Sequence, residues 1–120
     1  MADRRPLSAN DVDAALTALP DWRGSTGDLH AGFTAGTVAG ALALIAVIGV
    51  LAEELDHHPD VDWRYRQVFV RSSTHSAGGR VTALDVALAA RISAEALRLG
   101  VTPENGVMPE KGGPPRNMAQ

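Results

Sequence analysis

Four histidines are the residues in this 120-residue chain best suited to chemistry near neutral pH: His30, His57, His58 and His75. Imidazole titrates close to neutrality, so a group of histidines can both give and take a proton in one site. His57 and His58 follow a long apolar segment, and Pro59 directly after them enforces its stop. His75 stands where a strand-like segment enters a turn. A helix C-terminus stabilises imidazolium, by about 0.3–1 kcal/mol when exposed. Glu53 lies one helical turn before His57 and can orient it or hold its charge. A single histidine at an element end is ordinarily a surface residue, and that reading suits His30. The His57-His58 pair with a distant His75 points instead to acid–base chemistry, without specifying the reaction. Three histidines and a water also make a zinc set. Adjacent side chains on an extended backbone point apart, however, which argues against His57 and His58 joining one tetrahedral site. Asp85 reads first as a cap at a helix start. It can also contact a histidine across the site, or position His75 indirectly.

The elements that must hold these residues follow from periodicity and capping. Ser8 and Asp11 form a capping pair, and Val12, Ala15, Leu16 and Leu19 recur at helical spacing until Pro20. Two short alternating runs, 21–23 and 29–33, flank the turn 24–28 and read as a hairpin. A long helix is expected over 37–55, apolar nearly all round until Glu53 and Glu54. A small sheet cannot cover such a helix completely, which favours an oligomer. Residues 61–73 hold the clearest period-two segment in the chain and read as one strand, with Trp63, Tyr65 and Phe69 on a shared buried face. Thr82 and Asp85 repeat the capping pattern, and a helix runs from there to Leu99 with Gly100 as its stop. Leu84, Leu88, Arg91 and Ile92 mark one side of it, and Ala87, Ala90, Ala94 and Leu97 a second apolar row. The order helix-hairpin-helix-strand-helix describes an α+β domain, a small antiparallel sheet with about three helices packed on one face. Residues 1–100 form that domain. Residues 101–120, rich in Pro and Gly, read as a disordered tail.

Composition removes several classes of function. Lys plus Arg is 11 and Asp plus Glu is 14, so the net charge is −3, and binding to nucleic acid through a basic surface is not expected. With no cysteine, disulfides, thiolate zinc sites and cysteine nucleophiles are excluded. The opening residues lack the apolar core of a secretory signal, so the cytoplasm is the expected compartment. Residues 31–52 carry no charge and are long enough to span a bilayer, but the strongly apolar part covers only 38–52. That suits a buried helix better than a membrane span.

The spacing Glu53, three residues, His57-His58-Pro59, five residues, Tyr65, nine residues, His75, nine residues, Asp85 resembles the pterin-4a-carbinolamine dehydratase signature. The flanking residues 51–59, 73–79 and 82–85 look similar too, as do Leu7-Ser8 and Trp22, so the resemblance covers 7–99. Gly36, Gly40 and Gly49 depart from the family's pattern, as does the tail. The resemblance implies a homodimer or homotetramer of small α+β subunits. It implies dehydration of 4a-hydroxytetrahydrobiopterin to quinonoid dihydrobiopterin, which recycles the pterin of aromatic amino-acid hydroxylases without metal or second cofactor. It assigns His57, His58 and His75 as the catalytic set, with His58 foremost. Asp56, Ser73, Thr74 and Ser76 would hold the pterin, and Glu53 and Asp85 would support the site. The other reading is a non-catalytic scaffold of the same fold, whose apolar helix docks a partner helix.

Overall fold

A computed structural model describes residues 4–104. Helix α1 (Ala9–Thr17) begins at the expected capping box. Ser8 Oγ accepts the Asp11 N–H at 3.1 Å, and the Asp11 carboxylate accepts the Ser8 N–H at 3.4 Å. Beyond Pro20, the Trp22 ring enters the core edge-to-face with Phe33, centroids 6.3 Å apart, and its indole N–H donates to Ser93 Oγ at 2.9 Å. Strands β1 (Arg23–Gly24) and β2 (Leu29–Thr34) then form the expected hairpin, Arg23 facing His30 and Gly24 facing Leu29. Gly24 takes φ +148°, and a Cβ there would lie 2.1 Å from the Asp28 carbonyl oxygen. Only glycine fits so close a backbone approach.

Helix α2 (Val38–Leu55) is capped by Thr37, whose hydroxyl accepts the Gly40 N–H at 2.9 Å. Ala41, Leu44, Ile48, Leu51 and Ala52 are its buried face. Leu42 and Val50 lie exposed on the other side. By length and composition α2 could cross a membrane; here its buried face packs against strand and helix.

The single strand expected over 61–73 is instead a hairpin. Strand β3 (Asp60–Arg64) turns at Tyr65-Arg66 into β4 (Gln67–Ser72). Period-two patterning continues through the turn because Tyr65, not glycine, takes the left-handed backbone, φ 57°. The reversal also corrects the shared aromatic face. Trp63 pairs with Val68 and Asp62 with Phe69, so Trp63 and Phe69 point to opposite faces. Phe69 is buried against Gly32, while Trp63 and Tyr65 are exposed.

A 3₁₀ turn (His75–Ala77) leads to helix α3 (Ala83–Leu99), which ends at Gly100 in the left-handed conformation, φ 74°. Leu84, Leu88 and Ile92 are buried as expected; Ala87, Ala90, Ala94 and Leu97 are exposed, and so is Arg91. The segment read as tail does not leave the fold at once. Val101 is buried, and β5 (Thr102–Glu104) pairs with β2. The Glu104 carboxylate accepts from the Thr34 hydroxyl and from Gln67 Nε2 at 3.1 Å. The remainder of the tail, 105–120, lies outside the described residues.

The strands order as β1-β2-β4-β3, all antiparallel, with β5 beside β1 on the free edge of β2. Leu29, Ala31 and Phe33 of β2 and Val68 and Val70 of β4 share one core with α2 and α3. This is the α+β fold the sequence implied, with an extra hairpin and a fifth strand.

On the other face of the sheet Asp28 bonds His30 Nδ1 at 3.1 Å and accepts from Arg71 at 3.0 Å. The His30 hydrogen bond, aided by the charges of His30 and Arg71 and opposed by desolvation, holds the Asp28 carboxyl below its ordinary value. A depressed carboxyl pKa contributes stability that is present above the unfolded-state value and lost as pH falls through the folded one. The stability difference between wild type and Asp28→Asn should therefore shrink as denaturation is repeated below about pH 4. Gly24→Ala should cost about 1–3 kcal/mol through the backbone clash. At Gly49, mid-helix with open space around it, alanine should add about 0.5–1 kcal/mol. A loss at Gly49 would show that a second surface already sits against α2.

Candidate active site

Three element ends meet at the site. The first is the C-terminus of α2. Asp56 adopts the left-handed conformation, φ 49° and ψ 46°, and its N–H returns to the Ala52 and Glu53 carbonyls. The His57 N–H also bonds the Ala52 carbonyl, at 3.0 Å. A non-glycine residue thus closes the helix in the manner usual for glycine. The chain leaves in a new direction, sending His57 inward and His58 outward. His57 is 5% exposed, while the His58 side chain is 61% exposed. Neighbouring side chains do point apart here.

The second is the end of β4. Its core-facing side chains run Val68, Val70, Ser72, and Thr74 continues inward beyond the strand. Thr74 pairs its N–H with the Arg80 carbonyl at 2.9 Å, which closes the loop carrying His75. The third is the first turn of α3. Thr82 is the N-cap, and Asp85 accepts its backbone N–H at 2.8 Å.

Asp85 is wholly buried and joins the three. Its Oδ1 accepts from His57 Nε2 at 2.6 Å and from the Ser72 hydroxyl at 2.5 Å. Its Oδ2 accepts from the Thr74 hydroxyl at 2.7 Å as well as from the Thr82 N–H. The Thr82 hydroxyl, 2.7 Å from Thr74 Oγ1, donates to it, since Thr74 spends its own proton on Asp85. An ionised carboxylate only accepts, so His57 presents an N–H to it from Nε2. The carboxylate has four donors and a helix N-terminus, which together offset the cost of burying its charge.

His57 and His58 open onto a cleft of about 350 Å³, also lined by Arg4, Asp56, Ser73, His75 and Ser76. All three histidines assigned by the sequence therefore share one cavity. Glu53 approaches from above His58, its Oε2 at 3.9 Å from His58 Nε2. Arg4 reaches across to Asp56, at 3.4 Å from its carbonyl and 4.0 Å from its carboxylate. Of the residues expected to hold substrate, Asp56, Ser73 and Ser76 line the cleft. Thr74 does not; it is buried against Asp85. Asp85 bonds His57 directly rather than His75. Ser72 and Arg4 were not singled out by sequence. Among the described residues no three His, Asp or Glu side chains converge as a metal-ligand set. This site can exchange protons with a ligand through the exposed imidazoles of His58 and His75, beside a buried His57 held by a fixed carboxylate.

The network predicts unequal costs for its members. Asp85→Ala strands four donors in a dry site and should cost about 3–5 kcal/mol in urea denaturation. His75→Ala, at an exposed position, should stay within about 0.5 kcal/mol. Equal effects would contradict the placement of Asp85 as the structural centre.

Known proteins resemble this chain in sequence and in fold. The family model described as pterin 4 alpha carbinolamine dehydratase matches residues 5–95. A Streptomyces coelicolor protein with the provisional name pterin-4-alpha-carbinolamine dehydratase is 40% identical over 87 residues, covering 72% of this chain and 86% of that one. A Brucella melitensis crystal structure, titled transcriptional coactivator/pterin dehydratase, superposes with a TM-score of 0.71 at 32% identity, covering 75% of this chain and 97% of that one. The fold alone is shared with a pterin dehydratase-like RuBisCO assembly factor of the alpha-carboxysome, at TM-score 0.52 and 24% identity, over 62% of this chain and 86% of that one. The matched span contains the whole Asp85 network and every histidine of the cleft, and the chain belongs to the pterin-4-alpha-carbinolamine dehydratase family.

Proposed function

We propose that this chain dehydrates a 4a-hydroxytetrahydropterin to the quinonoid dihydropterin and water, by histidine acid–base catalysis. The observation that carries the reading is the cleft in which His58 and His75 stand beside a His57 fixed by buried Asp85. The reaction breaks the C4a–O bond. The leaving hydroxyl takes a proton and departs as water, while the neighbouring ring nitrogen gives one up, so protons balance without an external acid. Two positioned imidazoles can divide that work near pH 7. His58 is the principal acid–base residue, being open to the cleft and flanked by Glu53. His57 and His75 bind and assist. Asp56, Ser73 and Ser76 hold the pterin, and Thr74 acts only through Asp85.

The same reading places the chain in the cytoplasm, recycling tetrahydrobiopterin for an aromatic amino-acid hydroxylase pathway. It also makes the chain a homodimer or homotetramer, an assembly supported by the exposed apolar side of α2. That exposed side equally favours the second reading, a scaffold that docks a partner helix there.

Stopped-flow absorbance of freshly generated 4a-hydroxytetrahydropterin separates the two. The dehydratase should accelerate the spontaneous reaction, and His58→Ala should lose about 10²-fold or more of that acceleration. Alanine at His57, His58 and His75 together should abolish it and leave the sedimentation profile unchanged. A folded wild-type protein without acceleration, or undiminished turnover in the triple variant, overturns the enzyme reading in favour of the scaffold.

A further inference from the structure

Ser72 belongs to no part of the signature, yet it occupies a decisive position. Its side chain is 1% exposed at the inner end of β4, on the parity that Val68 and Val70 give to the core. Its hydroxyl donates to Asp85 Oδ1 at 2.5 Å, the same oxygen that accepts from His57 Nε2. Ser72 Oγ and His57 Nε2 are 3.3 Å apart, so the two donors stand side by side on one acceptor.

We propose that Ser72 is a positioning residue that sets the proton affinity of His57 through this shared oxygen. A hydroxyl donated to a carboxylate draws charge from it. What remains on Oδ1 is less able to hold an imidazolium, because hydrogen bonding to the charged partner competes with the charge pair. Ser72 therefore lowers the proton affinity that Asp85 lends to His57. Apolar replacement at 72 would leave Oδ1 to His57 alone and favour the imidazolium.

The other groups around His57 are unchanged by substitution at this position. From the α2 end these are Glu53, Asp56 and His58, from the 3₁₀ turn His75, and from the N-terminal segment Arg4; Asp85 itself comes from α3. Thr74 and the Thr82 N–H still hold Oδ2, which keeps the carboxylate in place when Ser72 is removed.

The consequence for turnover rests on the dehydratase reading; the titration does not. The test follows the His57 ring by NMR across pH in wild type, Ser72→Ala and Ser72→Cys. The midpoint should rise by roughly half a unit to one unit in Ser72→Ala. Ser72→Cys, with a weaker donor, should fall between. The acidic limb of the dehydration pH–rate profile should move upward by the same amount. A purely packing role would lower stability and leave the midpoint in place. An unmoved or lowered midpoint in a folded variant overturns the proposal. A raised midpoint in a protein that does not dehydrate pterin supports it and sinks only the enzyme reading.

Discussion

A carboxylate buried without partners would be among the costliest features a small domain could carry, and Asp85 is wholly buried. Its charge is sustained because donors arrive from separate parts of the chain. His57 comes from the end of α2, Ser72 and Thr74 from the end of β4 and just beyond, and the Thr82 N–H from the start of α3. The helix N-terminus adds its own favourable field. The dependence runs both ways. Asp85 needs these three ends to converge, and their convergence is what makes a cleft with histidines at its rim. Fold and site therefore share one polar junction, and every buried side-chain polar atom among the described residues has a partner.

The junction also explains how two adjacent histidines come to do different things. Asp56 turns the chain with a left-handed backbone at the last turn of α2. One imidazole is thereby locked to a carboxylate while the next is left in the cleft. The locked ring is held by a buried hydrogen bond, and the other ring is open to solvent. The proposed dehydration, which gives one proton and takes another, would benefit from that division. It is achieved with consecutive residues, and it would be lost if both lay on a continuing helix.

Away from the site, the described residues leave apolar surface at Leu97 of α3 and in two further places. One is the outer side of α2, at Leu42 and Val50. The other is the β3–β4 hairpin, where Trp63 and Tyr65 are exposed and the Trp63 indole N–H bonds the Tyr65 carbonyl at 2.6 Å. Arg66 lies 5.2 Å from the Tyr65 ring centroid, a cation–π contact that covers part of it. The α2 surface lies on an element whose inner face builds the core, whereas β3 gives the core no side chain.

The sequence by itself determined the local features. Capping at Ser8-Asp11 and Thr82-Asp85, the long apolar helix before His57-His58-Pro59 and the stop at Gly100 all follow from neighbours a few residues apart, where propensity and hydrogen bonding act. The spacing of Glu53, the three histidines and Asp85 was legible for the same reason. What tertiary structure decided was partnership. The reversal at Tyr65 left no glycine or asparagine to mark it, so alternation ran straight through a hairpin. The pairing of 102–104 with β2 depends on an edge that exists only once the sheet is assembled. Ser72 and Thr74 held one clue, polar residues at the parity of Val68 and Val70. That clue says that something polar must meet them inside, and only the packing of α3 against the sheet shows it to be Asp85, holding His57 rather than His75. Contacts across 28 residues of sequence, such as His57 to Asp85, carry no local signature, because they are set by where the elements end in space.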